Sequence, residues 1–440
     1  MTGIRGTPDR ALLAATLGFF FGFAGVALFG PTATRFQEVM QLSPLAVGFL
    51  VAAPALSGSL LRIPFAAWVD SAGGRRPFLV LLSLSLLGMA GLTLVVRFLY
   101  PDRLGPEHYP LVMVLGVLGG CGIATFSVGV SQVAYWFPQA RQGRALAIFA
   151  GVGNVAPGVF SLLLPVALSG LGLSGSYLAW LALLVVGTTV YGLLGRNAPY
   201  FQLTARGISP SDARAQAVAA GQELFPRFSV VESLKVSARV WRTWALVVVY
   251  FSTFGGFIAL TAWLPTYWKS FYGCSALTAG ALTALYSLLT SLIRVAGGVL
   301  ADRLEEGGEN TAVLALLIML AGALVMTGTQ QFELAIPGML LLAVGMGVTN
   351  AAVFKLVPQE VPQAVGGASG WVGGLGAFGG FAVPPMLAFA VRDLGNKGYA
   401  IGFVIFVFLA LVSLSAVWIL KYVRGPLPAS ATARPEQGHG

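Results

Sequence analysis

The chain has 440 residues, of which 57% are hydrophobic and only 10% charged, whereas a soluble globular protein carries roughly 25% charged residues. That composition excludes an ordinary soluble enzyme and points to a protein solvated by lipid. The formal charge of +10 raises nucleic acid as a partner, but the Lys and Arg residues are scattered between apolar stretches, so membrane topology accounts for them and no nucleic acid is expected.

In chain order, Arg5 and Arg10 precede an apolar run from Ala11 to Ala33, longer than the roughly 7 to 15 residues of a signal-peptide core and read as a first spanning helix. Further apolar runs cover Pro44 to Val69, Phe78 to Leu99, Pro110 to Tyr135, Arg144 to Leu168 and Ser174 to Gly195. Composition then turns polar and basic through Arg206, Arg214, Arg227, Lys235 and Arg239. A second set of runs covers Thr243 to Trp268, Ala276 to Ala301, Thr311 to Thr329, Leu334 to Val357, Ala364 to Val391 and Tyr399 to Tyr422. The expectation is an all-α integral membrane protein of twelve transmembrane helices, with residues 11–195 and 243–422 as two six-helix halves, 196–242 as the linker, and 1–10 and 423–440 as terminal tails. Cys121 and Cys274 lie far apart and His108 and His439 are isolated, so neither a disulfide framework, a metal centre nor a cofactor is expected.

Orientation follows from the positive excess that cytoplasmic loops retain. With both termini cytoplasmic, only Arg35, Arg97, Arg103, Lys269, Arg392 and Lys397 fall on the opposite side, and Arg62, Arg294 and Lys355 fall within spans, which leaves 17 of the 26 basic residues inside. The halves also share a register: Arg62 precedes Asp70 by eight residues and Arg294 precedes Asp302 by eight, at a constant offset of 232. Six plus six helices with a cytoplasmic linker resemble the layout of the major facilitator superfamily, whose parallel halves enclose a midplane site. The expected setting is a multi-pass protein of the cell's plasma membrane, monomeric because each chain already holds both halves.

Arg62 and Arg294 carry the chemistry. Eight residues of helix put each guanidinium roughly 12 Å into the membrane from its Asp, where an arginine costs about 2.5 to 3.5 kcal/mol on insertion scales and needs a cavity or a partner. All 16 Asp and Glu residues fall in loops, tails or span ends, so no built-in counterion is available and an anionic ligand is implied. The alternative is that the arginines bond backbone carbonyls and only hold the bundle together. A guanidinium presents paired planar donors, which suit a small planar oxyanion better than a sphere such as chloride, and by geometry alone formate or bicarbonate would serve. One arginine per half would let the ligand join the halves and permit rocking between two access states.

Two glycine-dense stretches occupy corresponding helices. One runs from Ala150 to Gly158 with Gly151, Gly153 and Gly158, and the other from Gly370 to Gly380 with Gly373, Gly374, Gly376, Gly379 and Gly380. Small residues allow close helix approach and bending, and Asn154, an amide inside an apolar span, requires a partner. Lys355 lies near the cytoplasmic end of the tenth span, where it either reaches the interface or adds positive charge to a pathway.

With these stretches the sequence resembles the nitrate/nitrite porter family of the major facilitator superfamily, across all twelve helices. The resemblance rests on the two glycine-rich motifs, on one arginine in each of the second and eighth helices, on the stretch from Trp136 to Leu146 and on that from Tyr250 to Phe257. It implies that Arg62 and Arg294 hold nitrate or nitrite, that Asn154 and Tyr250 supply polar contacts, and that Phe126 and Phe254 form aromatic walls about the anion. It further implies that Asp70, Arg75, Arg76, Asp302 and Arg303 belong to a cytoplasmic gating motif. Pro157 and Ala377 depart from the family pattern and bear on substrate preference and coupling. No phosphate-binding GxxxxGK[ST] loop is present, so a secondary transporter is expected rather than a pump, and no acid/base dyad or nucleophile pair in the spans supports an enzyme. Without a carboxylate or His at mid-membrane, nitrate/nitrite exchange is favoured over proton symport, which would call on Lys355 or Tyr250.

Overall fold

A computed structural model describes residues 4–226, 230–304, 307–361 and 364–423. Among these residues the chain forms eleven continuous apolar helical stretches long enough to cross a bilayer. One of them, Arg144–Leu194, has 51 residues, roughly 75 Å of helix and more than twice the hydrocarbon thickness. It turns at Gly172, where φ is +65° and ψ −176°, a backbone state open to glycine and closed to most side chains. The stretch therefore crosses twice, and the turn falls between the fifth and sixth expected spans, giving twelve crossings in two six-helix halves. The eighth expected span, Ala276 to Ala301, coincides with the observed stretch; most others run on by several residues, as does the first, Pro8–Met40.

The first and fourth spans carry 3-10 turns at Ala24–Ala27 and Gly120–Ala124, and four more spans are interrupted near mid-length. The second span stops at Leu60 and restarts at Arg62, because Pro64 has no N–H to donate to the Leu60 carbonyl. The fifth is interrupted at Val155, between Asn154 and Ala156, where Pro157 likewise cannot bond Gly153. The eleventh is broken between Leu375 and Gly379, inside the second glycine-rich stretch. The seventh contains a wide π turn, Phe251–Gly255, between Trp241–Tyr250 and Gly256–Tyr272. Interrupted helices of this kind bring backbone polar groups and side chains to a site at mid-membrane, where straight helices would present only apolar faces.

The two halves meet along three pairs of spans at the end remote from the linker. Gly48 of the second span lies against Ala388 and the Pro384 carbonyl of the eleventh, Gly280 of the eighth against the Ser161 carbonyl of the fifth, and Gly30 of the first against the Ala262 carbonyl of the seventh. Lys269 adds a hydrogen bond to the Thr34 hydroxyl at 2.6 Å. Residues 196–242 are more than a tether, since the described part carries the short helices Pro199–Thr204, Pro210–Ala219 and Val230–Ala238. Leu203, Ala213, Ala217 and Phe225 form a small core there, with Ile4 packed on it. Val230–Ala238 rests on the eleventh span, where the Ser233 hydroxyl accepts from the Gly367 N–H at 2.9 Å and Trp371 donates to the Leu234 carbonyl at 3.0 Å.

Candidate anion site

Arg62 opens the second half of its broken span and is 0% exposed. Its Nε donates to the Gly58 carbonyl at 3.0 Å and its Nη1 to the Gly373 carbonyl at 3.2 Å, while Nη2 has no hydrogen-bond partner among the described residues. Carbonyl bonding and ligand binding, posed as alternatives by the sequence, are thus both open to this one side chain. Two of its nitrogens anchor it, one of them to the opposite half, and the third is left over. A buried cation with an unmatched donor is unfavourable until something negative reaches it.

Aromatic rings surround the guanidinium. Its Cζ lies 5.1 Å from the centre of Phe126 and 5.1 Å from that of Phe254, and the Arg294 Cζ lies 5.5 Å from the same Phe254 ring. All three are within cation–π range. Phe254, carried by the π turn, therefore stands beside both arginines, and Tyr250 stacks on it at 4.8 Å with an angle of 8° between planes. The two arginines act electrostatically on each other and on Tyr250. The Tyr250 hydroxyl is buried close to Arg294 and donates to no group among the described residues.

Asn154 ends the first part of the broken fifth span and is 1% exposed. Its Nδ2 donates back to the Ala150 carbonyl at 2.7 Å, and its Oδ1 is unpartnered. Its own carbonyl accepts from the Ser291 hydroxyl at 2.9 Å, one turn before Arg294, so the break in the fifth span is pinned to the helix that carries the second arginine.

The glycines divide by position. A Cβ on Gly376 would come within 2.7 Å of the Tyr250 ring, and one on Gly379 within 2.5 Å of the Phe251 carbonyl, so these two seat the π turn. Gly153 abuts Phe19, Gly158 abuts Ser287, Gly374 abuts Ile63 and Gly380 abuts Ile258, whereas Gly151 and Gly373 have nothing within 4 Å of an added Cβ. Close helix approach accounts for six of the eight and not for those two.

The residues expected at the gate lie apart from this cluster. Asp70 accepts a hydrogen bond from Tyr135 at 2.6 Å, and Arg75 donates to the carbonyls of Gly195 and Gly192 at 3.0 and 2.9 Å. These partners belong to the same half, and the Arg75 bonds cover the carboxyl end of the sixth span, a favourable place for a cation. Arg76 and Arg303 are exposed, and the Asp302 side chain falls outside the described set. Lys355 donates to the Ala301 carbonyl at the end of the eighth span. Sequence reading missed Asn350, which is 1% exposed with both Nδ2 and Oδ1 unpartnered. The same signal that singled out Asn154, an amide inside an apolar span, was available for it.

Two helical halves meeting at broken helices, with a cationic site on the axis between them, define an alternating-access carrier. The Major Facilitator Superfamily model matches residues 15–384. A probable nitrate/nitrite antiporter, NarK1, of Thermus thermophilus is 30% identical over 437 residues, spanning 94% of this chain and 91% of that relative. A probable nitrate/nitrite transporter, NarK2, of Mycobacterium tuberculosis (strain CDC 1551 / Oshkosh) is 29% identical over 430 residues, spanning 98% of this chain and all of that relative. The xylose transporter XylE from E. coli, in a partially occluded inward open conformation, superposes with a TM-score of 0.71 at 15% identity over 96% of this chain and 100% of that one, which shows the shared fold. The chain belongs to the Major Facilitator Superfamily and, within it, to the nitrate/nitrite porter family.

Proposed function

We propose that the protein carries nitrate and nitrite across the plasma membrane by alternating access, exchanging one anion for the other, as a monomer with both termini on the cytoplasmic side. The observation that carries this reading is the buried Arg62 guanidinium with one nitrogen unmatched among the described residues, set beside Arg294, with the buried Tyr250 hydroxyl close by. The anion bridges Arg62 of one half and Arg294 of the other, with Asn154 and Tyr250 as polar contacts and Phe126 and Phe254 as walls. Bridging offsets the repulsion between the two cations, so the halves close round a loaded site and resist closing round an empty one. Lys355 is engaged at the end of the eighth span, which supports exchange over a protonation cycle through that residue. The glycine-seated π turn and the broken fifth and eleventh spans are the flexible elements that rocking requires.

The test is uptake of labelled nitrate into proteoliposomes at clamped pH and voltage. Uptake is expected to require internal nitrite and to ignore an imposed proton gradient. Proton-driven uptake without internal nitrite establishes symport instead, and movement of formate or bicarbonate alone establishes a different planar anion.

A further inference from the structure

Asn350 holds a carboxamide that no group in the described protein satisfies. A primary amide offers two N–H donors and an acceptor oxygen, and burying both ends unpaired is strongly unfavourable, so the side chain calls for a partner from outside its own helix. Its position indicates which. On a helix, residues four apart share a face, and the neighbours of Asn350 in that sense are Met346 and Phe354. Met346 lies at Gly256 of the seventh span, and Phe354 meets Tyr250 of the same span edge-on at 5.1 Å. Between Tyr250 and Gly256 lies the π turn that carries Phe254. On the adjoining side, Gly347 packs on Ile293 and the Thr290 carbonyl of the eighth span, beside Arg294. Asn350 is thus set against the stretch of backbone that brings Phe254 to both arginines.

We propose that Asn350 is a further anion-binding residue, its Nδ2 donating to an oxygen of the planar anion held by Arg62 and Arg294. The proposal rests on the reading of the arginine pair as an anion site. Nitrate and nitrite only accept hydrogen bonds, so Nδ2 and not Oδ1 faces the anion, and Oδ1 is left to a water. The amide adds a donor without adding charge, which fixes the rotation of the anion between two cations that attract it from either half.

Calorimetric titration of the purified full chain with nitrate, nitrite, formate and bicarbonate tests this. Asn350→Ala is expected to weaken nitrate binding by roughly 10- to 100-fold, with the melting temperature of the anion-free protein unchanged. Asn350→Asp keeps the volume, and should bind poorly at neutral pH and recover as acid protonates the new carboxyl and makes it a donor; a residue serving only packing gives no such profile. If the alanine variant does not fold, the aspartate variant carries the test. Wild-type nitrate affinity in both variants, at every pH, overturns the proposal. If the unaltered protein binds formate or bicarbonate in place of nitrate and nitrite, and the variants weaken that binding, the nitrate reading fails and Asn350 stands. Binding of none of the four anions by the unaltered protein overturns both.

Discussion

Arg62 shows how one side chain can be structural and functional at once. Its Nε and Nη1 hold carbonyls on two different helices, one in each half, and its Nη2 is unmatched among the described residues. An ammonium has compact donors on a flexible stem and cannot reproduce that planar division. Arg62→Lys keeps the charge, yet anion affinity measured by calorimetry is expected to fall roughly 10- to 100-fold, the worth of a hydrogen bond to an ion. Affinity within a factor of about two of the unaltered protein would show that charge alone suffices. The residue scale was partly legible in the sequence. Arg62, Arg294 and Asn154 stood out because an apolar span makes any polar residue conspicuous. Phe254 was singled out only by the family resemblance, because 29 phenylalanines are present and only packing shows that this one stands beside both arginines.

At the scale of elements, the breaks matter more than the helices. Gly379 lets the eleventh span approach the π turn, and a methyl there would sit 2.5 Å from the Phe251 carbonyl, closer than any Cβ tolerates. Gly379→Ala is expected to displace the π turn, move Phe254 and Tyr250, and abolish counterflow, whereas Gly151→Ala, with nothing within 4 Å, should transport at the unaltered rate. The comparison is read in one liposome assay with protein levels matched, and equal activity of the two variants would remove the glycine seat from the mechanism. Pro157, a departure from the family pattern, has a local explanation, since it interrupts the fifth span beside Asn154. The interruption was readable from proline chemistry. The π turn was not, because it comes from packing of the seventh span against the tenth and eleventh and has no residue signature of its own.

Across the whole molecule, the end remote from the linker is held shut by close helix contacts between halves. Gly48 meets Ala388 and Pro384 there, with an added Cβ only 2.5 Å from the Ala388 methyl. Gly48→Val should therefore keep the far ends apart. Nitrate binding in detergent is expected to persist while exchange in liposomes is lost, and a variant that exchanges at the unaltered rate would show that this contact does not close during transport. The gating residues behave differently at this scale, as Asp70 and Arg75 find their partners within one half. Sequence by itself determined the twelve crossings and the duplication, because lipid leaves few ways to satisfy a backbone and twenty-residue apolar runs are hard to hide. It also determined the two arginines, through their shared register with Asp70 and Asp302. Tertiary structure alone decided that Arg62 reaches the Gly373 carbonyl in the other half, that Phe254 serves both cations and that Asn350 lacks a partner. Those facts depend on where helices hundreds of residues apart come to rest against one another, which side-chain packing determines and hydropathy does not record.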